Sequence, residues 1–342
     1  LVLNGESGYG LGWGDGEEVV LWATGFDRLH DFESNYTLSP MVSSASVVRI
    51  HKDEDLAKAS LSLGGNQVVI HDFAERDGAL YWLGAFQGEF SVLGKQVLTN
   101  ASQSCFLLKT TDKGTFEWLQ TLDAGETVSN LNLASGPMGQ IYVAGAYSGS
   151  FAFRDHTFEH AAQERVFLCT FSSEGILDSS TVLASEMMER PVGLEIVSDG
   201  SVLLLCQNEL AQKLNAGRLV KLDYQLTPTT EITFEGTEVS LSDLSVFGEE
   251  VYLSGHYQGD FLVDQNKYFE NSKKVGFLLK FSTALEIDWA RQFEFSVEGS
   301  LVDVSMDVIG DPFCVLEFNG SFLEDSTIET LGGKDLLIAK VK

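Results

Sequence analysis

The feature that most constrains this chain is a segment that recurs. Ile141-Tyr142-Val143-Ala144-Gly145-Ala146-Tyr147-Ser148-Gly149-Ser150-Phe151 returns as Val251-Tyr252-Leu253-Ser254-Gly255-His256-Tyr257-Gln258-Gly259-Asp260-Phe261, and again as Leu80-Tyr81-Trp82-Leu83-Gly84-Ala85-Phe86-Gln87-Gly88-Glu89-Phe90. Self-similarity at so long a period means one supersecondary unit copied along the chain. The small residue ending the core strand marks each copy, at Gly25, Gly84, Gly145, Cys206 and Gly255, with Glu317 in the last slot; the spacings are 59, 61, 61, 49 and 62. Six units therefore fill the 342 residues.

Each unit reads as four short strands. In the third, residues 128–133 alternate with period two, a turn follows at Gly136-Pro137-Met138-Gly139, and the apolar run 141–147 reads as a buried central strand. A Gly-containing hairpin, a third strand over 166–171, a turn at Ser173-Glu174-Gly175 and a last strand over 176–183 complete it. Helical periodicity is missing. Four-stranded units of this length cannot bury both faces alone, which predicts an all-β, six-bladed β-propeller of antiparallel blades. The blades are expected at 5–63, 64–124, 125–185, 186–237, 238–296 and 297–342 within one domain, with residues 1–4 closing the ring as the outer strand of the last blade.

A basic side chain recurs on the third strand as Arg49, Lys109, Lys221, Lys280 and Lys340, with Thr170 the exception. Equal residues at equal positions serve equal structural roles, so these are expected to lay their methylenes on a neighbouring strand and carry the charge to water or a carboxylate.

The apolar strand ending in Ala-Gly, the aromatic-x-Gly-x-Phe hairpin of Tyr147-Ser148-Gly149-Ser150-Phe151, the run from Lys109 to Gly114 with Trp118, and Lys280 with Trp289 resemble the bacterial SBBP-type β-propeller repeat. The match is weakest in unit four, where Cys206-Gln207-Asn208-Glu209 lacks the Gly-x-Phe hairpin, and in unit one, where Phe26-Asp27-Arg28 replaces it. The resemblance implies an exported bacterial protein of the periplasm, cell surface or medium, often a module of a larger chain; a monomer or such a module is the expected state. It supplies no catalytic residues.

Charge limits the partners. The chain carries 22 Lys and Arg against 50 Asp and Glu, a formal net charge of −28, which repels phosphate backbones and anionic lipid. No apolar run approaches the roughly 18 residues of a spanning helix. Nucleic acid and membrane insertion are thereby disfavoured, while cations, basic proteins and carbohydrates are not. Cys105, Cys169, Cys206 and Cys314 are far apart, lack CxxC pairing and fall in apolar strands, so buried free thiols are expected; a Cys169–Cys206 disulfide is the alternative. His156 and His160 read as exposed hairpin histidines.

Carboxylates are the candidate binding groups. Connections from one unit to the next carry Glu6, Asp123, Glu126, Glu186, Glu235, Glu238 and Glu298. Gathered on one rim they would concentrate Ca²⁺ or a basic surface; spread out, they are solvated surface charge. A second set, Asp72, Asn132, Glu195, Ser245 and Asp307, is placed by alignment on the inner strands near the axis, where it would coordinate a cation or solvate a channel. The functional expectation is a non-catalytic binding or display module that engages a protein, carbohydrate or cation through an acidic rim. The alternative is a carbohydrate-active enzyme using paired carboxylates.

Overall fold

The computed structural model describes the chain except residues 1, 5–8, 14–17, 25–27, 32–35, 39–44, 52–57, 66–67, 100–102, 125, 154–155, 186–187, 209–214, 307–309, 323–334 and 342, with side chains chiefly from Val68 onward. The described residues form antiparallel strands and no helix. They divide into two compact units, Leu1–Val182 and Leu183–Lys342, each built from the repeats read above.

In the first unit, repeat two is a four-stranded meander of Val68–Arg76, Ala79–Phe86, Gln103–Thr111 and Phe116–Ala124. Repeat three follows as Thr127–Ser135, Ile141–Phe153, His156–Phe171 and Leu177–Val182. Repeat one contributes Tyr9–Trp13, Glu18–Thr24, Ala45–His51 and Lys58–Gly65. Every residue of Ala79–Phe86 is buried, as a strand flanked on both edges and covered on both faces requires.

The second unit repeats the plan. Repeat four runs Glu189–Ile196, Val202–Asn208 and Asn215–Leu222, and ends in the first half of Pro228–Phe247. The second half of that 20-residue strand opens repeat five, which continues through Glu250–Val263, Asn266–Ser282 and Ile287–Phe293. Repeat six has three described strands, Glu298–Met306, Pro312–Asn319 and Asp335–Lys340. Val2–Asn4 pairs with Arg28–Asp31 of the repeat-one hairpin.

Neighbouring repeats are tied by bonds that recur with the period of the sequence. Arg76 donates from Nη2 to the Pro137 carbonyl (2.9 Å), a partner 61 residues on. Lys109 Nζ reaches the Ser173 carbonyl in the turn of repeat three at 3.2 Å, shared with Trp118 Nε1 at 2.9 Å. Lys221 Nζ reaches the equivalent Thr283 carbonyl at 2.8 Å. All four described lysines of the third-strand set also pair with a carboxylate, Lys109 with Glu117, Lys221 with Asp199, Lys280 with Glu250 and Lys340 with Asp311. The expected snorkelling is present, and two of the side chains are in addition straps between repeats. The side chain of Arg49 lies outside the described set.

The recurrent glycine is explained by its neighbour across the ladder. Phe106 lies against Gly84, Phe167 against Gly145 and Phe277 against Gly255, and a Cβ at Gly84 would sit 2.4 Å from the Phe106 ring and from the Val69 carbonyl oxygen. Repeat four has Arg218 in place of the phenylalanine, opposite Cys206. Arg218 is held by Glu189 Oε2 (2.8 Å) and Glu231 Oε2 (2.7 Å), a charged substitute for the ring. In repeat six the register puts Leu316, not Glu317, in the landmark slot: Leu316 faces Leu301 just before the ladder slips, as Gly255 faces Leu241. All four cysteines are free and buried, so Cys169 and Cys206 are not joined. Burial pushes each thiol well up, which leaves little reactive thiolate.

Candidate functional site

The innermost strand of each repeat from two to six carries a β-bulge. The ladder slips between Ile70 and Asp72, Ser129 and Asn132, Pro191 and Gly193, Leu241 and Asp243, and Leu301 and Asp303. A bulge leaves backbone N–H groups outside the ladder. Carboxylates meet that need. Asp72 Oδ1 accepts from its neighbour Phe73 (2.7 Å), and Asp72 Oδ2 accepts from Leu133 N of repeat three (2.8 Å), 61 residues on. Asp243 Oδ2 accepts from Val304 N of repeat six (3.2 Å), again 61 residues on, and also takes the Leu244 N–H.

Electrostatics sets these aspartates apart. Burial raises the Asp72 pKa to about 7 from 3.8, opposed by the Leu133 and Phe73 N–H bonds. Burial likewise drives the Asp243 carboxyl well above its ordinary range, and the charge and hydrogen bond of the facing Asp303 push it further the same way.

Two members of the second carboxylate set, Asp72 and Asn132, do occupy the equivalent bulge position. Two do not. Glu195 lies opposite Leu203 and Ser245 opposite Tyr252, each two residues beyond the slot, which is filled by Gly193 and Asp243. Asp307 lies outside the described residues, and Asp303 fills the slot in its repeat. The alignment counts back from the end of the strand, and the residue number between bulge and strand end is not fixed. A better signal is present in the sequence, an aliphatic residue followed after one position by Asp and then an apolar residue: Ile70-His71-Asp72-Phe73, Leu241-Ser242-Asp243-Leu244 and Leu301-Val302-Asp303-Val304.

Of the rim acids, Asp123 accepts from Ser104 Oγ (2.7 Å) and Thr99 Oγ1 (3.1 Å), and exposed Glu126 lies 3.4 Å from Ser148 Oγ. Glu298 opens its strand opposite Asn319. Glu235 and Glu238 are not in a loop, because the strand Pro228–Phe247 runs straight through the junction of repeats four and five. Glu6 and Glu186 lie outside the described residues. Among the described residues no three Asp, Glu, His or Cys side chains gather as a cation-binding group.

Two clefts open in the first unit. The larger, about 620 Å³, lies at the ends of the inner strands of repeats two and three, lined by the apolar Val69, Ala85, Phe86 and Val128 and by His71, Gln87, Gln103, Ser129 and Asn130. Gln103 Oε1 is fixed by the Val128 N–H at 3.1 Å, and Asn130 adopts a left-handed backbone (φ 49). The cleft walls lower the His71 pKa, so its ring is neutral at pH 7 and offers one donor and one acceptor. The second, about 490 Å³, is lined by His156, Asp178, Ser180 and the exposed Ile176 among others. His156 stands on a strand and not in a loop, with its Nε2 2.9 Å from Ser180 Oγ.

The sequence matches no family model and no curated protein. Among solved structures it is similar to a protein of unknown function from Bacteroides caccae (11% identity over 61% of this chain and 61% of that one, TM-score 0.35). It is also similar to a puromycin hydrolase (10% identity, 91% and 58%, TM-score 0.42) and a glucose dehydrogenase (10% identity, 92% and 96%, TM-score 0.46). This chain spans about three fifths of the length of the first two of these proteins.

Proposed function

We propose that this chain is a six-bladed β-propeller of an exported bacterial protein, acting as a non-catalytic binding module that takes a carbohydrate in the cleft between repeats two and three. Support for a closed ring comes from the pairing habit of the hairpins. The hairpin strand Glu89–Val92 pairs with the outer strand of the preceding repeat, Lys58–Gly65, and the end of Ile141–Phe153 pairs with the preceding outer strand at Asp123 and Ala124. Val2–Asn4 holds the same relation to the hairpin of repeat one, and repeat six lacks a described fourth strand. On this reading the first strand serves as the outer strand of blade six.

The observation that carries the binding reading is the lining of the 620 Å³ cleft. Three primary amides, a hydroxyl and a neutral imidazole beside apolar side chains suit sugar hydroxyls, which both donate and accept. The exposed Glu126 and Asp123 stand beside the same strand ends, and their charge turns anionic ligands away. Titration of a panel of neutral, basic and acidic oligosaccharides by calorimetry tests this. A neutral or basic sugar should bind, and His71→Ala together with Gln87→Ala should abolish the heat without lowering the melting temperature. Binding that survives both substitutions, or the absence of heat across the panel, refutes the assignment.

A further inference from the structure

Repeat five differs from repeats two, three, four and six at one buried position. Across the ladder from the bulge slot stand Leu83 in repeat two, Ala144 in three, Leu205 in four and Val315 in six, whereas repeat five has Ser254 opposite Asp243. Directly opposed residues project from the same face of a sheet, with Cβ atoms about 5 Å apart. Ser254 is fully buried, and its Oγ has no hydrogen-bond partner. A hydroxyl so placed is costly unless something fills its coordination.

Across the ladder from it lies the Asp243 carboxyl, with that of Asp303 beside it. The carboxyls of Asp243 and Asp303 are in hydrogen-bond contact, and two carboxylates that close do not both ionise unless a proton or a cation stands between them. The groups acting on Asp243 are burial, Asp303 and the two backbone N–H donors of Val304 and Leu244; no cationic side chain is among them. Asp303 is open to solvent and offers a route inward. The corresponding place between repeats two and three holds a different pair: the residue equivalent to Asp303 there is Asn132, already neutral, and the apolar Leu83 and Ala144 leave no hydroxyl to satisfy.

We propose that Asp243, Asp303 and Ser254 Oγ form a site for a small hard cation, Ca²⁺ by the all-oxygen donor set, seated between the inner strands of repeats five and six. Two carboxylates neutralise the ion, the hydroxyl takes a third position and water completes the shell. The ion joins two repeats that, without it, face each other with paired acids. This site is separate from the sugar cleft and does not depend on it.

The test is thermal melting of the full chain, stripped with chelator and titrated with CaCl₂ at pH 7.5. The wild type should gain several degrees in a saturable manner. Asp303→Asn, which reproduces the neutral arrangement of repeats two and three, should stay folded and lose the Ca²⁺ increment, and Ser254→Ala should need several-fold more Ca²⁺ to reach it. Glu126→Gln and Glu298→Gln should keep the wild-type response. A wild type indifferent to Ca²⁺ overturns the site, as does an equal increment in Asp303→Asn, which would mark general screening of an acidic surface. Stabilisation by acid with no effect of Ca²⁺ also overturns it, because the pair would then hold a proton.

Discussion

Replacing Asp72 with asparagine separates the charge of the bulge aspartate from its shape. The native carboxyl titrates near 7, and in the unfolded chain at the ordinary 3.8. A folded pKa above the unfolded one means the contribution to stability is complete below pH 3.8 and is lost as pH rises through 7. At about 1.36 kcal/mol per unit the whole effect is roughly 4 kcal/mol, of which about 2.5 kcal/mol is regained between pH 8 and pH 5. The amide introduced by Asp72→Asn does not titrate, and it can accept only one of the Phe73 and Leu133 N–H bonds, an offset of about 1 kcal/mol at every pH. Urea unfolding followed by fluorescence of the buried Trp82, at pH 8 and pH 5, gives the two stabilities. The wild type should gain on Asp72→Asn by about 2.5 kcal/mol between the two conditions. A difference that stays constant within about 0.5 kcal/mol would show that the carboxyl is ionised throughout and that burial does not govern it.

Two further outcomes follow from the packing. Gly84→Ala and Gly255→Ala each push a Cβ to within 2.4 Å and 2.3 Å of a backbone oxygen, whereas the nearest atoms at Gly145 all belong to side chains that can shift. The first two should each cost about 1–3 kcal/mol and Gly145→Ala less, read from urea midpoints. Lys221→Met removes a bond to the turn of the next repeat and should cost about 1 kcal/mol, whereas Lys280→Met breaks a pair within its own repeat and should cost under about 0.5 kcal/mol; chemical denaturation of the pair of variants checks the order.

The repeat is legible in the sequence because its signals are local. Period-two alternation, Gly turns and the wholly apolar second strand each lie within a few residues, and the observed strands follow them. The position of Asp243 is not legible in the same way, because a bulge adds a residue to one strand of a pair without any mark in the apolar pattern. Counting from the strand end lands on Ser245 instead, and from the same cause on Glu195. Glu317 draws the alignment away from Leu316 because a polar residue in an apolar strand looks like a boundary. The lysines are recognisable as a set, but their reach depends on which turn the next repeat brings alongside. The cleft beside His71 and Gln103 is hidden for the same reason, since its walls come from strands far apart in the chain.

The unbroken strand Pro228–Phe247 has an outcome of its own. Between repeats five and six, residues 294–297 separate one sheet from the next and can absorb a length change. Here none do. Inserting a single residue before Gly236 would invert every side chain between the insertion and the ladder slip at Gly236 and Glu238, unless the bulge takes it up. A length change between repeats five and six alters a loop, whereas here it alters a bulge and the register of a strand that two repeats share.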